Sequence, residues 1–413
     1  MGLNQTPSAE RLHIGFFGKR NAGKSSVMNA VTGQDLAVVS DVKGTTTDPV
    51  YKSMELLPLG PVVMMDTPGI DDEGQLGDLR VKKSYQVLNK TDGAVLVLDA
   101  QVCPGPEDLA LLKRIQDKKI PYVAAVNKAD VLGEEKNAPW RWQSILEEAG
   151  VRPEQILMVS AETGEGISDL KERLAAVMKE EDSGRRIVGD LLEPGDLAVL
   201  VVPIDKAAPK GRLILPQQQT IRDILDADAQ ALVVKENGLK EALETTGKTP
   251  KLVITDSQAF GKVSKDTPED ILLTSFSILF ARYKGNLEQA VRGVTALDRL
   301  ENGDQVLISE GCSHHRQCGD IGTVKLPTWI REYTGKELVF EFTSGTEFPD
   351  DLTPYSLIVH CGGCMLNERE MKYRLSCAQD QQVPMTNYGI LIAYVHGILK
   401  RSVQVFPEIY KLL

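Results

Sequence analysis

The stretch Gly18-Lys19-Arg20-Asn21-Ala22-Gly23-Lys24-Ser25 constrains this chain more than any other. It follows a short apolar run, His13 to Phe17, and precedes the helical pattern Ser26 to Val31. Strand, G-x-x-x-x-G-K-S loop and helix in that order form a phosphate-binding loop in an α/β fold. Glycine lets backbone N–H groups wrap phosphate oxygens, and the helix N-terminus adds positive potential. Gly18, Asn21, Ala22, Gly23 and Ser26 are then expected around the phosphates, Lys24 at the β- and γ-phosphates, and the Ser25 hydroxyl on Mg²⁺.

Further motifs follow on successive strand-like runs. Val62 to Met65 ends in Asp66-Thr67-Pro68-Gly69, where Asp66 suits a carboxylate reaching Mg²⁺ through water and the Gly69 N–H can sense the γ-phosphate. Ala94 to Leu98 is the next strand, and Tyr122 to Val126 ends in Asn127-Lys128-Ala129-Asp130. A carboxylate at Asp130 can accept from guanine N1 and N2, which adenine does not offer. Leaving such an acceptor unpaired costs about 1–3 kcal/mol, so the pattern favours GTP and GDP over adenine nucleotides. Ser160-Ala161, after the run Ile156 to Val159, fits a loop whose N–H contacts the guanine oxygen.

These ordered motifs resemble the Era- and TrmE-type GTPases. Gly44-Thr45-Thr46-Thr47-Asp48 resembles their first switch, with Thr46 at the threonine that senses γ-phosphate and Mg²⁺; Thr47 replaces the usual arginine. Ile70 stands where Ras-like enzymes carry a water-orienting glutamine, so that catalytic part is absent. Asn21 occupies the position at which potassium-activated members of this class hold K⁺. The resemblance therefore implies a GTPase whose catalytic group comprises Lys24, Asn21, Thr46, Asp66 and Gly69, with K⁺ supplying the charge of an arginine finger.

At 413 residues the chain has room for two or three ordinary cores, and its 42% hydrophobic content marks it as globular. A net charge of −11, with no run of Lys or Arg, argues against nucleic-acid or anionic-membrane binding. Met1 to Glu10 is polar, and the longest apolar candidate, Ile390 to Leu399, is too short to cross a bilayer. Six cysteines without a secretory signal suggest reduced thiols in a cytoplasmic protein. The pattern divides into a GTPase domain over 1–180, a small α/β domain over 185–262 and an α/β domain over 266–413. The middle part alternates strand and helix as a βαβαβ unit: Leu197 to Val202, Gln217 to Leu225, Ala231 to Val234, Leu239 to Glu244 and Leu252 to Thr255. It reads as a linker domain or a homodimer contact.

In the last part, Asp270 to Tyr283 and Leu287 to Leu300 read as helices, and Gln305 to Ser309, Leu338 to Phe342 and Tyr355 to Val359 as strands. Pro327 to Tyr333, Asn367 to Cys377 and Tyr388 to Leu399 read as helical. Cys312-Ser313-His314 and His360-Cys361-Gly362-Gly363-Cys364 each follow a strand, so distant thiols would converge at the carboxyl edge of a parallel sheet. Three cysteines and a histidine fit tetrahedral zinc or an iron–sulfur cluster equally well, and Cys361 with Cys364 could also serve as a redox dithiol. A ribosome-associated Era-like GTPase with a zinc module is the alternative that the zinc option would favour.

The Cys-x-His and His-Cys-x-x-Cys pair, joined to an Era-like GTPase and a middle α/β unit, resembles the HydF family, the maturation GTPases of FeFe-hydrogenase. The resemblance implies a 4Fe-4S cluster on Cys312, Cys361 and Cys364, with His314 or His360 competing for the fourth position. It also implies a scaffold that receives a diiron precursor and delivers it to apo FeFe-hydrogenase, with two radical-SAM maturases as further partners.

Overall fold

Runs such as Gly93–Asp99 are apolar at nearly every position because helices cover both faces of the sheet they form. In a computed structural model, residues 11–33, 49–70, 84–132, 140–179, 185–203, 213–285, 287–311, 320–345, 347–363 and 365–413 are described. They belong to two units, Met1–Ser183 and Gly184–Leu413.

The first unit carries β1 (Leu12–Phe17), β2 (Val50–Leu56), β3 (Gly60–Asp66), β4 (Gly93–Asp99), β5 (Tyr122–Asn127) and β6 (Ile156–Met158). Their order is β2-β3-β1-β4-β5-β6, parallel except for β2, which forms an antiparallel edge with β3. The sequence reading missed β2 because its Tyr51, Lys52, Ser53 and Glu55 are exposed at the sheet edge and show no buried run. One face packs around Ile14, Val27 and Leu174, the other around Phe17, Leu96 and Leu111.

The second unit holds two parallel sheets. β7 (Leu197–Val201), β8 (Gln230–Val234), β9 (Leu252–Thr255) and β10 (Leu272–Ser275) run in the order β10-β9-β7-β8. β11 (Gln305–Glu310), β12 (Val339–Ser344), β13 (Leu357–His360) and β14 (Met385–Asn387) run in the order β12-β11-β13-β14.

The structure departs from the sequence pattern at two places. Asp270 to Tyr283 is not one helix: β10 comes first and the helix starts at Phe276, after Ser275 caps it by accepting the Ile278 N–H at 3.2 Å. A four-residue apolar run has no period of its own, and pairing with β9 decides it. β10 lies beyond residue 266, so the middle sheet crosses the boundary expected at 262–266. The two sheets also share one apolar core, running from Ile187 through Leu279, Val291 and Ile390 to Phe406. A four-stranded unit buries too little apolar surface alone, and the helices Phe276–Tyr283, Leu287–Val294 and Tyr388–Val395 serve both sheets. The helices approach closely: a Cβ on Gly389 would stand 2.2 Å from Ser277 Cβ.

Candidate functional site

The phosphate loop leaves β1 where the sheet order turns back between β3 and β4, the place at which open parallel sheets bind ligands. Space fixes two of its glycines. A Cβ on Gly18 would stand 2.2 Å from the Val97 carbonyl oxygen, and one on Gly23 2.3 Å from Asn127 Nδ2. Asn21 lies between them, exposed and left-handed at φ 61°, a conformation asparagine tolerates. Lys24 is buried under the loop and donates to the carbonyls of Gly18 at 3.1 Å and Lys19 at 2.8 Å.

Ser25 lies in the first turn of the helix Lys24–Thr32, and its hydroxyl donates to Asp66 Oδ2, at the end of β3, at 2.6 Å. Asp66 is fully buried, and its Oδ1 has no hydrogen-bond partner among the described residues. Burial pushes this carboxyl up, and the Ser25 hydroxyl and the Lys24 charge pull it back. A bare buried oxygen beside a hydroxyl fits Mg²⁺, a hard cation that takes oxygen ligands and keeps its waters. Gly69 is buried just beyond, with the Pro68 carbonyl accepting from Ser84 at 3.0 Å. Ile70 packs into the apolar cluster of Leu96 and Leu98.

At the end expected to take the base, Asp130 Oδ1 accepts from the Ser160 hydroxyl at 2.6 Å. Asn127 Nδ2 donates to the Ala22 carbonyl at 3.0 Å, and Asn127 Oδ1 accepts the Ala161 N–H at 3.0 Å. Asn127 thus latches the phosphate loop to the loop after β6. The Ala161 N–H, expected at the guanine oxygen, goes to this latch. Lys128, left-handed at φ 67°, donates to Asp99 at 2.5 Å. Thr46, with the rest of the expected first switch, lies outside the described residues.

The thiol site begins where β13 ends. Cys361 Sγ accepts the N–H of Gly311 at 3.0 Å and that of Gly363 at 3.4 Å. Gly311 directly precedes Cys312 in the chain, so two segments 50 residues apart meet at this sulfur. Cys312, His314 and Cys364 lie outside the described residues, among which no group of three potential ligands gathers. Two N–H groups aimed at one sulfur are donors that a metal-ligating cysteine can use, and Cys361 is the one expected cluster cysteine among the described residues.

His360 is buried, with Nδ1 2.7 Å from the Cys361 carbonyl oxygen and Nε2 3.0 Å from Arg374 Nη1. Arginine only donates, so Nε2 accepts and the proton sits on Nδ1. Both ring nitrogens are committed within the protein. Arg374, itself fully buried, also bonds Glu370 at 3.0 Å, Ser309 at 3.3 Å and the Gly345 carbonyl at 2.9 Å. It ties the carboxyl ends of β11, β12 and β13 to the helix Glu368–Asp380. On the other side, the Tyr388 hydroxyl donates to buried Glu310 at 3.2 Å; burial first, then the Glu310 charge, drives this phenol far above its ordinary pKa.

Sequence reasoning missed Arg374, Glu370, Glu310 and Tyr388. Glu370 and Arg374 stand four apart on a helix, the usual spacing of a solvent-exposed pair, and nothing local marks them as interior. Strand-end positions gave the one available signal, for Ser309 and Glu310.

Three family models match the chain. One for a 50S ribosome-binding GTPase matches residues 13–128. The hydrogen maturase F dimerization domain matches 187–285, and the hydrogen maturase F tetramerization domain matches 288–405. The chain belongs to the hydrogen maturase F (HydF) family. Among curated relatives, the tRNA modification GTPase MnmE of Magnetococcus marinus is 29% identical over 205 residues, 47% of this chain and 40% of the relative. GTPase Der of Wolinella succinogenes is 33% identical over 198 residues, 46% of this chain and 40% of the relative. The chain thus spans about two fifths of the length of these relatives. A crystal structure of Era from Aquifex aeolicus bound to GDP and aluminium fluoride aligns with 57% of this chain and 98% of its own, at 19% identity and a TM-score of 0.38. The chain therefore joins a GTPase domain to two segments whose family models are named for oligomerization. None of its described helices is long and apolar enough to cross a membrane.

Proposed function

We propose that this hydrogen maturase F protein is a GTP-hydrolysing scaffold that holds a 4Fe-4S cluster on Cys312, Cys361 and Cys364, receives a diiron precursor and passes it to apo FeFe-hydrogenase. The observation that carries the reading is the 3.0 Å contact from the Gly311 N–H to Cys361 Sγ, which brings the backbone beside Cys312 to the His-Cys-x-x-Cys loop. Three thiolates leave one coordination position for a weaker ligand, which suits a site that must release cargo. His314 is the proposed occupant of that position, because both nitrogens of His360 are engaged by Cys361 and Arg374. The radical-SAM maturases are proposed as donors, the protein as a homodimer or higher oligomer, and the cytoplasm as its compartment.

The test is iron and sulfide content with visible absorption after anaerobic purification. Wild type is expected to be brown, and Cys312→Ala, Cys361→Ala and Cys364→Ala are each expected to lose the cluster absorption. A colourless, zinc-loaded wild type would favour the ribosome-associated reading, and a metal-free one the dithiol.

For the GTPase we propose Lys24, Ser25, Thr46, Asp66 and Gly69 at the Mg²⁺–phosphate end and Asn127, Lys128, Asp130 and Ser160 at the base, with Ala161 in the same loop holding Asn127. Asn21 would contribute to a K⁺ site that supplies positive charge at the phosphates. Arginine fingers contribute about 10³–10⁵-fold, so a substantial fall in turnover is expected when Na⁺ replaces K⁺ at equal ionic strength. Equal rates in the two salts would remove the K⁺ role.

A further inference from the structure

Lys284 follows the helix Phe276–Tyr283, at the junction of the two segments matched by the hydrogen maturase F models. It is buried, and its ammonium donates to the carbonyl of Gly363 and, at 2.8 Å, to that of Leu366. Gly363 and Leu366 flank Cys364 closely in sequence. The Leu366 N–H donates to the same Gly363 carbonyl at 3.1 Å. Burying an ammonium is costly unless its donors are satisfied, so this contact holds both partners in place.

The surroundings leave the loop little freedom. Gly363 is left-handed at φ 61°, and a Cβ there would stand 2.6 Å from Met371 Sδ. A Cβ on Gly311 would stand 2.7 Å from Leu366 Cγ. A chain of contacts thus runs from Lys284 through Leu366 to Gly311, whose N–H meets Cys361 Sγ. Beside Gly285, Arg185, two residues ahead of the segment matched by the dimerization model, bonds Glu368 at 2.6 Å.

We propose that Lys284 is the positioning residue of the thiol loop, a clamp by which the segment matched by the dimerization model fixes the geometry of Cys361 and its neighbours. Movement of the helix Phe276–Tyr283, as on subunit association, would then be transmitted to the loop through one side chain. The inference builds on the cluster reading above, but the clamp is measurable in apoprotein.

The experiment compares full-length wild type, Lys284→Met and Lys284→Arg by hydrogen exchange over residues 362–366, then by iron release to a chelator after reconstitution. Lys284→Met is expected to speed exchange in this loop, leave β7 and GTP hydrolysis unchanged, and release iron about 10-fold faster. Lys284→Arg, which keeps a cation with donors, is expected to restore both readouts. Should Lys284→Met not fold, Lys284→Gln is expected to show the same accelerated exchange. Wild-type loop exchange in the Met or Gln variant overturns the clamp. Accelerated exchange in a protein whose wild type never holds iron leaves the clamp standing and refutes the cluster reading instead.

Discussion

Lys24→Ala should reduce the GTP turnover of this protein by at least 10²–10³-fold, roughly the loss seen when one preorganised electrostatic donor is removed from an active site. Lys24 is buried under the phosphate loop, with its ammonium already held by the Gly18 and Lys19 carbonyls. Its charge therefore needs no reorganisation from solvent before it meets a phosphate. Alanine removes that charge without altering Gly18 or Gly23, whose positions are set by Val97 and Asn127. Nucleotide would still find the loop N–H groups, so the deficit should appear in turnover more than in GDP affinity. Phosphate release under single-turnover conditions, with fluorescent GDP titration beside it, is the measurement. A variant that hydrolyses within threefold of wild type would displace Lys24 from the catalytic group.

A second large effect is expected on stability. Arg374→Met should cost about 3–5 kcal/mol, because it leaves the Glu370 carboxylate buried without its partner. His360 Nε2, Ser309 and the Gly345 carbonyl lose a donor in the same step. The guanidinium also lies over the Phe348 ring, 5.0 Å from its centroid, so methionine loses that cation–π contact as well while keeping an apolar stem of similar length. In a unit of this size the melting temperature should fall by about 6–20 °C, since each kcal/mol shifts it by about 2–4 °C. The double variant Arg374→Met with Glu370→Gln should be destabilised by less than the sum of the two single changes, because the uncompensated charge is gone. The scan follows the unfolding of the second unit by calorimetry. A shift below about 2 °C would mean that the network is worth no more than an exposed ion pair.

The two halves of the molecule differed in how much could be read beforehand. Gly18, Gly23, Asp66, Asn127 and Asp130 stand out in the sequence because phosphate-loop and guanine-binding motifs demand fixed residue types at short spacings. The structure adds Asn127 as the latch between loops, a contact across 105 residues that no local pattern encodes. In the second unit, β10 lies inside a run whose pattern predicts helix, and the boundary that the pattern predicts falls inside a sheet. The reason is shared: short parallel strands covered on both faces have no amphipathic period, so only pairing separates them from buried helix.

The sequence by itself determined which groups are available: a G-x-x-x-x-G-K-S loop, the carboxylates Asp66 and Asp130, and thiols after two strand-like runs. Those features are local, and their spacing alone carries the information. Tertiary structure decided what surrounds them, putting Gly311 against Cys361, Arg374 in the interior and Lys284 over the thiol loop. A charged residue acquires such a place only when distant elements close around it and supply the partners that offset its desolvation.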